Sequence, residues 1–357
     1  MHLTHTEIPA DYKAHIGRKV SFIISGLICL GLLLIFAISV GAVRIPLMEL
    51  VPTLLGKTMA GKWDIIIWNI RMPQALTAVV GGAGLAAAGA MMQSILRNPL
   101  GSPFTLGISH AAAFGAAVSV MLFDPGIMQS SGSNAVKVIN PFGTTAIAFV
   151  ASLIATGVII GISRLRSASP EVMVLTGVAL GSLFTAGTMF LQYFADDVEL
   201  AAMVFWTFGD VGRADWNELG LMTVVLIALV IYGFANRWNY NAIDAGDETA
   251  KGLVGMRVER VLLVGMLTAS FMTAIVVAFL GIIGFVGLVC PHMVRRLIGD
   301  DYRFLLPATC VVGGLLLLAA DTAARLIMAP HILPVSILTS FIGAPVFIYL
   351  IIRGYRR

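Results

Sequence analysis

The stretch QSILRNPLGSPFTLGISH, residues 93–110, interrupts a chain that otherwise consists of long apolar segments. It contains Arg97, Asn98, two prolines and two glycines. Proline lacks the backbone N–H needed inside a helix and disfavours helical backbone in the residue before it, so one helix cannot run through the stretch. Asn98 and Ser102 are suited to cap the helix ends that such a break exposes. The stretch predicts a break between two helices, and these residues leave open whether it is a simple turn or part of a functional site.

The composition places most of the chain in lipid. Of 357 residues, 58% are hydrophobic and 12% are charged, and the mean hydropathy is +0.93. A soluble domain carries about 25% charged residues. Apolar runs of about 20 residues match the ~30 Å hydrocarbon core of a bilayer. We therefore predict an all-α polytopic membrane protein that is surrounded by the lipid bilayer. We expect no nucleic acid partner, because basic residues in such a chain usually set its orientation.

Polar breaks in the hydropathy pattern predict about ten spans. Their approximate bounds are 20–41, 68–94, 104–123, 142–163, 171–194, 217–235, 261–279, 281–297, 304–323 and 334–352. The first apolar run is longer than the roughly 7–15 residues of a cleaved signal, so we interpret it as a retained span. Residues 1–19 are expected to form a cytoplasmic N-terminal segment and residues 20–357 a single transmembrane domain. With both termini in the cytoplasm, most Lys and Arg residues fall on the cytoplasmic side, as membrane insertion favours.

Two glycine-containing breaks suggest an internal repeat. Leu100-Gly101 followed by Gly107 matches Leu280-Gly281 followed by Gly287. The two places are five predicted spans apart, and an odd offset inverts the second half relative to the first. Inverted repeats with glycine- or proline-interrupted helices are typical of transporters.

Small residues recur every four positions in the second span, at Gly82, Ala86 and Ala90. This spacing lets two helix backbones approach closely. We expect packing inside the subunit here, in preference to a seam between subunits.

Six stretches, taken in order, resemble the signatures of the FecCD/BtuC-like permeases. They are RMPQALTAVVGGAGLAAAGAMMQ (71–93), QSILRNPLGSPFTLGISHAAAFGAA (93–117), SPEVMVLTGVALGSLF (169–184), AGDETAKGLVGMRVERV (245–261), GFVGLVCPHMVRRLIGDDYRFLLP (284–307) and LPVSILTSFIGAPVFIYLI (333–351). The resemblance runs from about residue 20 to the C-terminus. It implies a BtuC-like type II ABC importer fold in the cytoplasmic membrane of a bacterium or archaeon.

The resemblance also implies a function and a set of partners. The chain would be a transport subunit rather than an enzyme, with no catalytic residues and no bound cofactor. It would pair with a second copy of itself, with two ATPase subunits that bind ATP and Mg²⁺, and with an extracytoplasmic substrate-binding protein. Its cargo would be an iron complex (siderophore or haem) or a corrinoid.

Nothing in the sequence predicts a nucleotide or metal site. Gly56-Lys57-Thr58 ends like a P-loop, but the position of the required first glycine holds Val51. The cysteines and the histidines within the apolar region are scattered without metal-ligand spacing, so packing or capping is the expected role. These residues are Cys29, Cys290, Cys310, His110, His292 and His331.

The resemblance places contact with the ATPase in a cytoplasmic loop at about 236–260. The expected coupling residues are Gly246, Asp247, Glu248, Thr249, Ala250, Lys251 and Leu253. Asp247 could cap a short helix there. The family order after this helix is Leu-Gly-Val, whereas this chain has Leu253-Val254-Gly255, which puts the local turn geometry in doubt. The residues alone are equally compatible with a solvated helix.

The resemblance further implies that Arg71 and Arg325 receive glutamates of the binding protein. The family pattern Arg-Leu-Pro-Arg is here Arg71-Met72-Pro73-Gln74, so a second arginine is missing. Two structural alternatives stand beside docking. Arg325 could pair with Asp321 one helical turn away, and Arg71 could extend to the membrane interface.

A mildly polar stripe on the fifth span is the predicted translocation path. Val174, Gly181, Thr185, Thr188 and Gln192 share one face at 100° per residue. Such a stripe suggests a water-lined path, and the family's path also runs along this span. Hydrogen bonding between helices is the alternative. The preceding residues Ser167, Ala168 and Ser169 are expected to contribute to a cytoplasmic gate.

Two other classes of protein remain as alternatives. An ion-gradient-driven secondary transporter would need carboxylates within the spans, but the acidic residues cluster at the predicted span ends and in loops. A membrane-embedded metal enzyme would need a pattern such as DDxxD or HExxH, and neither Asp196-Asp197 nor Asp300-Asp301 extends to one. The permease interpretation is therefore favoured.

Overall fold

The computed structural model describes residues 10–41, 43–56, 61–123, 141–165, 169–246, 258–327 and 331–354, and these ranges contain helices and no β-strand. The longer helices are α1 (Ala10–Ser39), α4 (Met72–Leu96), α5 (Ile108–Phe123), α6 (Pro141–Arg164), α7 (Pro170–Phe194), α9 (Trp216–Ala235), α11 (Val258–Leu280), α12 (Val286–Ile298), α13 (Tyr302–Ile327) and α14 (Val335–Gly354). Shorter helices are α2 (Leu47–Leu54), α3 (Gly61–Ile65), α8 (Asp197–Thr207) and α10 (Arg237–Asp244). A π-helical turn at Ile66–Arg71 joins α3 to α4, and a 3₁₀ turn lies at Val211–Arg213.

Each of the ten predicted spans overlaps one of the longer helices, which confirms the all-helical polytopic prediction. Seven helical segments in the described ranges are long and apolar enough to cross a bilayer. Helix α5 and the apolar part of α14 are shorter, and α12 has only 13 residues. At 1.5 Å per residue α12 is about 20 Å long, less than the ~30 Å hydrocarbon core. The predicted segments 104–123 and 281–297 start before the observed α5 and α12. The reason is that Gly107 and Gly281 adopt left-handed backbone (φ +74° and +78°) ahead of these helices.

Helix α4 is the centre of the subunit and is buried along nearly its whole length. A Cβ at Gly82 would overlap the Gly313 carbonyl oxygen of α13, and a Cβ at Gly89 would overlap the Gly287 carbonyl oxygen of α12. Ala86 and Ala90 on the same helix are fully buried. The small residues of the second span therefore pack within the subunit, as expected.

Many helix contacts of α4–α7 recur in α11–α14. Helix α4 packs on α12 and α13 of the second half, and its counterpart α11 packs on α5 and α6 of the first half. Within the first half, α5, α6 and α7 contact one another, and within the second half α12, α13 and α14 do the same. The sequence match pairs Gly101 with Gly281. In the structure Gly107 corresponds to Gly281 instead, because these two glycines adopt left-handed backbone and Gly101 does not.

Two carboxylates that head helices have structural roles. The Asp196 side chain accepts a hydrogen bond from the Glu199 backbone N–H (2.7 Å), and Glu199 accepts one from the Asp196 backbone N–H (3.0 Å) at the start of α8. Asp215 and Glu218 form the same reciprocal capping box at the start of α9. These acids fix the first turns of α8 and α9.

Candidate functional site

A cleft of about 640 Å³ lies where the two glycine-interrupted breaks approach one another. Its walls come from the α4–α5 loop, the end of α8, the α11–α12 loop with the first turn of α12, and α14. The lining residues are Ser102, Phe104, Thr105, Thr207, Phe208, Ile282, Gly284, Phe285, Leu288, Ser336, Ile337, Ser340, Phe341, Ala344 and Pro345. All of these side chains are uncharged, with aromatic or aliphatic surface interrupted by hydroxyl groups. The cleft can therefore enclose a bulky group while offering it few strong polar contacts.

The α4–α5 loop is held in one shape by its own side chains. The Ser102 N–H donates to Thr105 Oγ1 (2.9 Å), and the Thr105 N–H donates to Ser102 Oγ (3.1 Å). Asn98 Oδ1 accepts a hydrogen bond from the Leu100 N–H (2.9 Å). A Cβ at Gly107 would lie 2.7 Å from the Gly177 carbonyl oxygen of α7. The break predicted from residues 93–110 is thus an ordered wall of the cleft, but Asn98 and Ser102 bond the backbone of the loop itself and do not cap the ends of α4 or α5.

The opposite wall contains an unusual backbone conformation at Phe285. This residue precedes α12 with φ +66°, a left-handed conformation that is uncommon for a residue other than glycine. A Cβ at Gly343 of α14 would overlap the Phe285 side chain. Strained backbone of this kind costs on the order of 1–3 kcal/mol and tends to occur at functional sites. Phe285 therefore holds the start of α12 and the face of α14 in contact at the cleft.

The predicted path residues on α7 do not line this cleft. Gly181 is buried against Gly107 and His110 of the α5 region. The Thr185 hydroxyl donates to the Gly181 carbonyl oxygen (2.8 Å), and the Thr188 hydroxyl donates to that of Phe184 (2.9 Å). Val174, Thr185, Thr188 and Gln192 are half-buried, so the stripe follows the border between the buried and exposed faces of α7. The path role of these residues stays a prediction.

Ser336, Ser340 and Phe285 line the cleft but were missed as candidates. A signal for them was present in the sequence. The matched breaks at residues 100–107 and 280–287 are typical of transporters, and binding sites in inverted-repeat transporters lie at such interrupted helices. The side chains around both breaks were therefore the better candidates.

Arg71 and Arg325 both lie against the C-terminal end of α1. Arg71 Nη1 donates to the Ile38 carbonyl oxygen (2.6 Å), and Arg71 Nη2 donates to the Val43 carbonyl oxygen. Arg325 Nη1 lies 3.3 Å from the carbonyl oxygens of both Ala37 and Val40. The last carbonyls of a helix lack partners within it, so these guanidinium groups satisfy them. The residues are only 6% and 8% exposed.

The i,i+4 pair considered for Arg325 is present. Arg325 Nε donates to Asp321 Oδ2 (3.0 Å), and the other Asp321 oxygen accepts a hydrogen bond from Gln74 Nε2 (2.9 Å). Gln74, which replaces the second arginine of the family pattern, thereby links α4 to α13. Docking of a binding protein by Arg71 and Arg325 stays a prediction, and these contacts favour the structural alternative.

Most of the predicted gate and coupling residues fall in parts of the chain that the structure does not describe. Ser167, Ala168, Asp247, Glu248, Thr249, Ala250, Lys251 and Leu253 lie outside the described residues. Ser169 directly precedes α7, and its hydroxyl donates to the Glu171 carboxylate. Gly246 follows α10 with φ +114°. Within the described ranges, no three His, Cys, Asp or Glu side chains are grouped as a metal site would require.

Comparison with known proteins agrees with this fold over nearly the whole chain. Residues 29–353 match the FecCD transport family. An ABC transporter permease protein of Methanocaldococcus jannaschii is 53% identical over 98% of this chain and 99% of its own length. The hemin transport system permease protein HmuU of Yersinia pestis is 37% identical over 80% of this chain and 83% of its own. The Fe(3+)-citrate import system permease protein YfmE of Bacillus subtilis is 35% identical over 89% of this chain and 90% of its own.

A solved structure supports the same relationship. A metal-chelate type ABC transporter in an inward-facing conformation superposes with a TM-score of 0.80 at 26% identity, covering 93% of this chain and 99% of that one. Sequence and fold therefore agree from the first span to the last. The chain belongs to the FecCD transport family of multi-pass membrane permeases.

Proposed function

We propose that this chain is the membrane-spanning permease subunit of an ABC importer for a chelated metal, with an iron complex such as a ferric siderophore or haem as its cargo. The observation that carries the proposal is the cleft of about 640 Å³ at the two interrupted helices, in a chain that matches a transport family almost end to end. The names of the relatives supply the cargo class, because two of them carry hemin and ferric citrate.

The chemistry of the cleft fits a chelate that arrives with its metal already coordinated. Among the described residues, the lining holds hydroxyl groups and aromatic rings but no carboxylate, imidazole or thiolate. Such a surface cannot compete for the metal, because those absent groups are its usual protein ligands. It can pass a large, partly apolar complex and release it. Selection among iron complexes and corrinoids would then rest mainly with the binding protein.

The energy source and partners follow from the transporter class. ABC permeases work with ATPase subunits, which in this proposal bind ATP and Mg²⁺ and contact the segment from Gly246 to Leu253. The permease would act as a homodimer and accept cargo from an extracytoplasmic binding protein. The excess of Lys and Arg on the side shared by both termini supports a cytoplasmic position for both ends.

The test is uptake into liposomes that contain this chain and its partner ATPase, with the binding protein outside and ATP inside. Ferric siderophores, haem, ferric citrate and cobalamin form the cargo panel. We expect accumulation of one iron complex that requires hydrolysable ATP. An ATPase variant unable to hydrolyse ATP is the control. Accumulation of cobalamin and of none of the iron complexes would identify a corrinoid as the cargo. Uptake driven by an ion gradient without ATP would replace this function by the secondary-transporter alternative.

A further inference from the structure

A cluster of polar side chains joins three helices at the end of the subunit opposite Arg71 and Arg325. Arg295 lies near the end of α12, and its Nη1 atom is 3.2 Å from Asp244 Oδ2 and 3.0 Å from Asp300 Oδ1. Arg295 Nη2 donates to Ser94 Oγ (2.7 Å), and the Ser94 hydroxyl donates to Asp244 Oδ2 (3.2 Å). Ser94, Asp244, Arg295 and Asp300 are called the Arg295 cluster below.

The cluster is mostly shielded from water. Ser94 is fully buried, and the side chains of Arg295 and Asp244 are 15% and 20% exposed, whereas Asp300 is 70% exposed. Burial raises the pKa of the Asp244 carboxyl above its ordinary value, although the charge and hydrogen bond of Arg295 oppose this. A shielded pair with several hydrogen bonds has a defined geometry, unlike a surface ion pair. The cluster therefore acts as a rigid junction.

Asp244 is the last residue of α10, which ends directly before the segment proposed to contact the ATPase. The rest of α10 is anchored as well. Asn241 Oδ1 accepts a hydrogen bond from the Tyr302 N–H at the start of α13 (2.8 Å), and the Tyr240 and Tyr302 rings stack at 4.6 Å. Movement of α10 would therefore pass to Arg295 of α12 and Ser94 of α4 through Asp244.

The two helices held by Asp244 lead to the cleft. Ser94 lies near the end of α4, directly before the loop whose Ser102 and Thr105 line one wall. Arg295 lies on the helix that Phe285 precedes at the other wall, about 15 Å away at 1.5 Å per residue. Gln93 Nε2 donates to the Leu288 carbonyl oxygen (3.1 Å), so α4 and α12 are also tied to one another beside the cleft.

We infer that the Arg295 cluster transmits movement of the ATPase-contacting segment to α4 and α12, and so couples ATP hydrolysis to opening of the cleft. The inference rests on the proposed function. Asp244, Arg295 and Ser94 are positioning residues, because they touch neither the cargo cleft nor the nucleotide. Without the junction, α10 can move while the cleft walls stay in place, so hydrolysis continues without transport.

The experiment compares cargo molecules transported per ATP hydrolysed in liposomes for the wild type, Asp244→Asn and Arg295→Gln. The cargo is ferric citrate or haem, whichever the wild type accumulates. We expect each variant to assemble with the ATPase and hydrolyse ATP, while transport per ATP falls at least about fivefold, the lower range of a coupling between sites. The double variant is expected to lose little more than either single one, because both changes break one junction.

Arg303→Gln is the matched control. Arg303 forms an ion pair with Asp301 (2.6 Å) at the same end of the molecule and lies over the Trp238 ring of α10, but the pair does not bridge α10 to α4 or α12. Its loss is expected to leave transport per ATP unchanged. Arg295→Lys keeps a charge opposite Asp244 and is expected to restore part of the coupling.

The outcomes separate the inference from the proposed function. Unchanged transport per ATP in Asp244→Asn and Arg295→Gln, with an active wild type, would overturn the inference alone. A parallel fall in assembly, hydrolysis and uptake at a constant ratio would assign the cluster a structural role only. If the variants fail to fold, Ser94→Ala is measured instead, and an unchanged ratio in that variant overturns the inference. A wild type without ATP-driven uptake would overturn the proposed function, and the inference with it.

Discussion

Arg325 and Asp321 form a buried ion pair at a position where the family resemblance implies a docking surface. Their side chains are 8% and 4% exposed, and both contribute to contacts between helices. Removing one partner from a buried pair leaves an uncompensated charge, which costs far more than the pair itself contributes. The pair therefore has a structural consequence whether or not a binding protein also contacts it.

Asp321→Asn should destabilise the subunit by about 3–5 kcal/mol, because the Arg325 guanidinium would remain buried without its counter-charge. The midpoint of thermal unfolding in detergent is the measurement. Asp197→Asn, at an exposed position that is not a cap residue, is the matched control and should leave the midpoint unchanged. An unchanged midpoint in Asp321→Asn would contradict this account.

The docking prediction for Arg71 and Arg325 is checked on the same preparation. Reversing both charges should weaken affinity for the binding protein, more strongly at low salt if docking is electrostatic. Unchanged affinity in a correctly folded variant would remove both residues from the docking surface. Their contacts with the end of α1 would then be their whole role.

Helix α4 makes two of its closest contacts through backbone, beside buried large side chains such as Met91 and Ile95. Gly82 meets Gly313 of α13, and Gly89 meets Gly287 of α12, at distances that leave no room for a methyl group. Lipid provides no hydrophobic driving force between helices, so close backbone approach supplies much of the packing energy. Glycine is common throughout the chain, but only at some positions does its missing side chain matter.

Gly89→Ala should lower stability by about 1–3 kcal/mol, because the added methyl group overlaps the Gly287 carbonyl oxygen and forces α4 and α12 apart. Gly157→Ala on α6 is the matched control, because a Cβ there meets nothing within 4 Å. Alanine is favoured over glycine inside helices, so this control should be neutral or slightly stabilising. Equal midpoints of thermal unfolding for the two variants would show that the close approach is absent.

The cleft is the feature through which the subunit as a whole would act on its cargo. Its walls come from both halves of the inverted repeat, so no single helix or motif contains the site. Its volume of about 640 Å³ lies within the ~300–1,000 Å³ typical of small-molecule sites. Filling it should block passage without altering either half.

Ser340→Trp should reduce uptake by about tenfold or more, equivalent to a barrier higher by about 1.4 kcal/mol, because the indole occupies the space between α14 and the two loops. Assembly with the ATPase should be unaffected. Val224→Trp on α9, at a residue that is 65% exposed, adds the same side chain away from the cleft and should transport normally. Normal uptake by Ser340→Trp would mean that cargo takes another route.

The local order of residues was enough to predict the helices, the break at 93–110 and the family. Runs of apolar residues, prolines and glycines act through the backbone of their own segment, so their effects can be read without knowing the fold. The predicted start of α12 is too early for a related reason. Hydropathy does not report where a glycine adopts left-handed backbone, and Gly281 delays the start of α12 within an apolar run.

The cleft and the Arg295 cluster depend on tertiary structure. The cluster joins residues 94, 244 and 295, and the cleft joins loops from opposite halves of the chain, so neither exists within one segment. The stripe on α7 had the right helical spacing, but spacing shows only that residues share a face. Which face packs on α5 and which stays exposed depends on the neighbouring helices, because burial results from contacts between distant parts of the chain.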